Sequence, residues 1–153
     1  MPKRYERDPI IEAVVEFRFL PSTPWDGSEP GRLYERIGRE FPKREAGVIL
    51  EQEITQAENE FSQKVTPIPR LRMSREDDSS FIQVAPQFLS VHSLEPYMGW
   101  AELLSFAERA LAEYREIAEP ASIVRVGLRY INRITLEGVI ELEDFFDLYP
   151  HRG

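Results

Sequence analysis

Between Gly99 and Ala118 the apolar side chains recur every three or four residues: Trp100, Leu103, Leu104, Ala107, Ala110, Leu111, Tyr114 and Ile117. That is the period of an amphipathic helix. Glu102, Glu108, Arg109, Glu113 and Arg115 lie largely off the stripe, and Pro120 closes the segment. A helix with one apolar face has to lay it on another layer, so the rest of the chain must supply a flat apolar surface.

The surface is written on either side of the helix, in a period of two. Ile11, Ala13, Val15, Phe17 and Phe19 alternate with Glu12, Glu16 and Arg18, which reads as a half-buried strand. From Ile123 to Thr135, Val124, Val126, Leu128, Tyr130 and Ile134 face one way. Arg125, Gly127, Arg129, Ile131 and Arg133 face the other. Ser28-Glu29-Pro30 starts a short helix carrying Leu33, Ile37 and Phe41, and Pro42 stops it. Val48 to Thr55 alternates less cleanly and reads as a strand, whereas 56–66 is polar and has no clear period. Arg70–Ser74 and Phe81–Val84 flank a polar cluster as a hairpin would, and Pro86 predicts a bend before Phe88–His92 resumes the strand. Glu141 to Tyr149 predicts a short terminal helix.

The expected order is β-α-β-β-β-α-β plus that C-terminal helix. It describes a single α+β domain over 1–153, a two-layer sandwich of about five mostly antiparallel strands covered by two helices. Phe145, Phe146, Leu148 and Tyr149 stand close together near the chain end and need cover, which marks them as interface candidates. A homo-oligomer or a partner protein would provide it.

Composition narrows the chemistry. With 27 acidic against 19 basic side chains the formal net charge is −8, which argues against nucleic acid, whose binding begins with a basic field. The absence of cysteine rules out disulfides, thiolate zinc sites and cysteine nucleophiles, and His92 and His151 are too few for a histidine metal site. The charged N-terminus does not read as a signal peptide, and no apolar run approaches the ~18 residues of a membrane span, so the expected location is the cytoplasm.

Three segments together resemble a sporadically distributed family of prokaryotic proteins. They are Pro9-Ile10-Ile11-Glu12-Ala13-Val14-Val15-Glu16-Phe17-Arg18-Phe19, the Ser90–Trp100 stretch of form SVH-x-L-x-PY-x-GW, and Arg125–Ile134, RVGLRYINRI. Members of that family are usually longer, so the resemblance implies that this chain corresponds to the N-terminal part of a typical member. It brings no activity, cofactor or catalytic residue with it.

The charged strand faces carry the remaining candidates. Arg125, Arg129 and Arg133, with Arg70 and Arg72, would hold an anion bidentately if their faces lined one surface. Glu12 and Glu16 would then place a magnesium or manganese ion against it. The layout resembles tunnel-type triphosphate hydrolases but departs from them: the acidic pair is four residues apart rather than two, and Arg18 stands in place of a lysine. The plainer reading is a solvated sheet face with Glu–Arg pairs. Ser90 and His92 suggest a nucleophile and base, but no third partner or G-x-S-x-G elbow accompanies them, so His92 reads as structural. Tyr97 and Trp100 read as packing residues at the helix start rather than as a recognition loop. Gly127 reads as a bulge or a place where another element comes close: the second helix, the first helix or a partner chain. The leading expectation is a non-enzymatic interaction or ligand-binding domain that needs no cofactor; the alternative is an anion- or triphosphate-processing enzyme.

Overall fold

Alternation becomes strand and the 3.6-residue period becomes helix over most of the chain. The computed structural model describes residues 9–57, 60–135 and 138. Its elements are β1 (Ile10–Leu20), α1 (Glu29–Ile37), β2 (Lys43–Ala57), β3 (Glu60–Ser74), β4 (Ser80–Ala85), β5 (Phe88–Leu94), α2 (Trp100–Ala118) and β6 (Ser122–Asn132). The terminal helix expected over Glu141–Tyr149 lies outside the described residues, as do the interface candidates Phe145, Phe146, Leu148 and Tyr149.

The α+β class holds, but the sheet has six strands in the order β2-β3-β4-β5-β1-β6, with every paired neighbour antiparallel. The extra strand comes from Pro86. Rather than bending one strand it opens a two-residue turn with Gln87 at φ 59°, and Ala85 pairs directly with Phe88. Proline followed by a left-handed residue is the pattern of a type II turn, so the chain reverses there. The aperiodic stretch also turns out extended. β3 pairs with β4 only over Leu71–Ser74, and the rest of β2 and β3 continues as a two-stranded arm.

Both helices contribute to one core, with α2 packed on β5 and α1 on α2. Ala13, Val15 and Phe17 of β1, Ile82 and Val84 of β4, and Leu89 and Val91 of β5 meet Leu103, Phe106, Ala107, Ala110 and Tyr114 of α2. The buried line therefore includes Phe106 and excludes two residues assigned to it from sequence: Trp100 is 48% exposed and Leu104 38%. Leu103 and Leu104 are about 100° apart around the helix, so only one can point into the middle of the contact. Tyr97 does pack, half-buried against the core and edge-on to Tyr130 with ring centroids 5.7 Å apart. Among the described residues no helix is long and apolar enough to cross a membrane.

Candidate functional site

The registers fix which side chains share the sheet face away from the helices. One row reads Lys43, Ser74, Phe81, His92, Val14 and Arg129 from β2 across to β6. The next reads Glu45, Arg72, Gln83, Ser90, Glu16 and Gly127. Arg18 and Arg125 pair in the row beyond, and Arg70 falls on the same face by alternation. Arg133 follows the end of β6, where its N–H donates to the Pro9 carbonyl at 2.8 Å.

The two candidate metal carboxylates are each engaged. Glu12 Oε1 lies 2.6 Å from His92 Nδ1, and Glu16 Oε1 accepts from Arg18 Nε at 3.1 Å. Arg72 donates to Ser74 Oγ and lays its guanidinium over Phe81, 3.8 Å from the ring centroid; Arg18 does the same over Phe88 at 4.6 Å. Stacked and tethered guanidiniums of this kind keep apolar rings dry while staying partly hydrated themselves. Arg125 and Arg129 make no hydrogen bond or ion pair among the described residues. Arg125 sits directly opposite Arg18, a like-charge cross-strand pair in which the Glu16 carboxylate engages Arg18.

At the centre of this face His92 is held on both ring nitrogens. Ser90 Oγ lies 2.8 Å and Gln83 Nε2 3.2 Å from Nε2. An amide nitrogen only donates, so Nε2 accepts, and Nδ1 carries the proton that it donates to Glu12. Glu12 is the third partner that the sequence did not reveal, and it is 80 positions away. The Ser-His-Glu order is that of a nucleophile, a base and the group that orients it. Ser90 is only 1% exposed, however, and β5 is paired on both sides, so its backbone N–H groups serve the ladders rather than an oxyanion. The triad geometry is a structural knot.

Burial lowers the His92 pKa below its usual 6.5 against the pull of Glu12, and Arg129 and Arg72 add to the lowering. The unfolded histidine then binds a proton before the folded one does. Its contribution to stability is full above about pH 6.5 and is lost as pH falls through the folded value. In an NMR titration His92 is expected to stay neutral, protonated on Nδ1, while a histidine with an unshifted pKa gains charge. A His92 midpoint at or above 6.5 would contradict this account.

At the sheet margin, β6 pairs with β1 along one side and with no described strand along the other. Its helix-side residues continue the core rows of β1, since Tyr130 lies opposite Ala13, Leu128 opposite Val15 and Val126 opposite Phe17. The β1 members are buried. Val124 and Val126 are each 62% exposed and Leu128 50%, because α2 reaches β5 and β1 but stops short of β6. Comparison with protein families, curated proteins and solved structures finds no match to the chain.

Proposed function

We propose that the chain is a non-enzymatic interaction domain whose working element is β6, and that the partner seated there is a second copy. The carrying observation is that β6, eleven residues long, has no strand on its outer side among the described residues and exposes an apolar face. Open edges are templates for pairing, and proteins that keep them unpaired blunt them with proline, lysine or short length. β6 has no proline and no lysine. The opposite margin, β2, also exposes Val48 and Leu50, but it carries Lys43, Arg44, Glu45, Glu51 and Glu53 on its other exposed positions.

Charge selects the register. Antiparallel pairing about a two-fold axis at Gly127 sets Arg125 against Arg129, and an axis at Arg129 sets that arginine against itself; both cost stability. An axis at Val126 runs into the irregularity between Ile123 and Arg125. An axis at Leu128 matches Val126 with Tyr130, Arg125 with Ile131 and Arg129 with Gly127. The second copy's Arg129 then crosses the bare Gly127 toward Glu16, which lies opposite Gly127 on β1. Two strand spacings, about 10 Å, separate their backbones, within reach of an extended arginine and glutamate. Nothing within the protomer demands glycine here, because an added Cβ would meet only Glu16 Cβ at an ordinary 3.8 Å.

The absence of cysteine makes the test direct. Leu128→Cys is expected to form a disulfide with itself in a second chain, since facing antiparallel residues have Cα atoms about 4.5–5.5 Å apart. Val126→Cys alone should stay reduced, and a mixture of Val126→Cys with Tyr130→Cys should cross-link. Gly127→Val is expected to leave the protomer's melting unchanged and weaken association roughly tenfold, about 1.4 kcal/mol. Sedimentation of a monomer at about 100 μM, or equal cross-linking at 126 and 128, would overturn the proposal.

A further inference from the structure

A separate feature, independent of β6, lies where the loop after β1 meets the start of α1 and the end of α2. A cavity of about 80 Å³ is walled there by Phe19, Pro24, Trp25, Tyr114 and Pro120, with Glu29 also among its lining residues. Glu29 is 9% exposed. Its Oε1 accepts from the Asp26 N–H at 3.3 Å, but its Oε2 is buried with no hydrogen-bond partner. None of the residues lining the cavity is basic. The nearest cation along α1, Arg32, donates to the Ile117 carbonyl at 3.3 Å instead.

An ionised carboxylate taken out of water needs a positive partner or a full set of donors. Its place in the first turn of α1 helps, but the helix dipole offsets only a fraction of the desolvation cost. The walls then limit what the partner can be. Aromatic faces and proline rings repay an organic cation through cation–π attraction and apolar contact, and they offer a hydrated metal ion nothing for the waters it would lose. The Tyr114 hydroxyl lies close enough to the Glu29 charge to feel it: burial first, and then that charge, push its pKa up to about 12. The phenol therefore stays protonated, with its oxygen able to accept.

We propose that this cavity binds a small alkylammonium group that keeps at least one N–H, donating to Glu29 Oε2 while its alkyl carbons rest against Trp25 and the prolines. The cavity has room for a small head group of that kind.

Thermal-shift and tryptophan-fluorescence titrations with trimethylammonium chloride test it, run against sodium chloride at equal ionic strength. Trp100→Phe serves as background so that the emission reports Trp25. Trimethylammonium is expected to raise the melting temperature and shift that emission beyond the salt control. Tetramethylammonium, which has no N–H, should bind at least tenfold more weakly. Glu29→Gln should abolish the difference between the ammonium salt and sodium chloride, and Trp25→Leu should weaken binding with the carboxylate intact. A response equal to that of sodium chloride, or one that survives Glu29→Gln, would overturn the assignment; so would equal affinity for the two ammonium ions.

Discussion

Replacing Phe41 by alanine is expected to remove about 3–5 kcal/mol of stability, the range for emptying a fully packed aromatic site. Against a total of about 5–15 kcal/mol, that is at least about a fifth of the whole stability. Phe41 is 2% exposed and stacks on Phe106 of α2, with ring centroids 5.3 Å apart and planes within 7°. The Arg75 guanidinium, just past β3, lies 5.5 Å from the ring centroid. The residue thus joins the end of α1, the middle of α2 and the β3–β4 turn at a single point. Its neighbour Glu40 ties the same three parts together by accepting from Arg75 at 2.5 Å and Arg109 at 3.1 Å. Those ion pairs are partly exposed and cannot replace the lost packing. Urea unfolding measures the loss directly, and Phe41→Leu should recover more than half of it because most of the volume returns. A loss under about 1 kcal/mol would show that the three elements hold together without this ring.

His92→Ala should be nearly as severe, at about 2–4 kcal/mol, although the residue is polar. The imidazole stacks on Phe81 with centroids 4.0 Å apart, so truncation opens a gap against an aromatic face. It also strips the partner from Ser90 Oγ, which is buried. Ser90→Ala, by comparison, removes one hydrogen bond and is expected to cost about 1 kcal/mol. Glu12→Gln keeps an acceptor for Nδ1 but removes the charge that holds the His92 pKa up, so the acid loss of stability should still begin near about pH 6.5 but run on to lower pH and grow larger. If His92→Ala cost no more than Ser90→Ala, the ring would not be organising this face.

The elements with a clear period were legible in the sequence, and those without one were not. The helix beginning at Glu29, the long helix ending near Ala118, and β1 and β6 all stand where the spacing put them. The β4–β5 hairpin was hidden because Pro86 breaks a strand pattern in the same way whether the chain bends or reverses. Arg70–Ser74 was legible as a hairpin strand, but the earlier part of β3 was hidden because residues 62–67 are exposed on both faces, so no apolar alternation marks them. The charged candidates on β1, β3 and β6 were legible as members of strand faces, and the registers bring Glu12, Glu16, Arg72, Arg125 and Arg129 to one side. The Glu12–His92 contact was out of reach, since it depends on how β1 and β5 align and neither segment encodes that alone. The exposure of β6 was equally silent: Val126 and Leu128 carry the same pattern as Val15 and Phe17, and what differs is how far α2 extends.

The strand order also bears on how the chain is made. β1 emerges from the ribosome first, yet its two neighbours in the sheet are β5 and β6, drawn from residues 88–132. At about 5–20 residues per second, the 68 residues from Leu20 to Phe88 keep it waiting roughly 3–14 s for even its first partner. Throughout that interval Val15, Phe17 and Phe19 belong to a nascent segment with nothing to pair against, the circumstance in which chaperones capture a chain. The hairpins of β2 with β3 and of β4 with β5 close locally and early, so insertion of β1 between β5 and β6 is the step that commits the sheet.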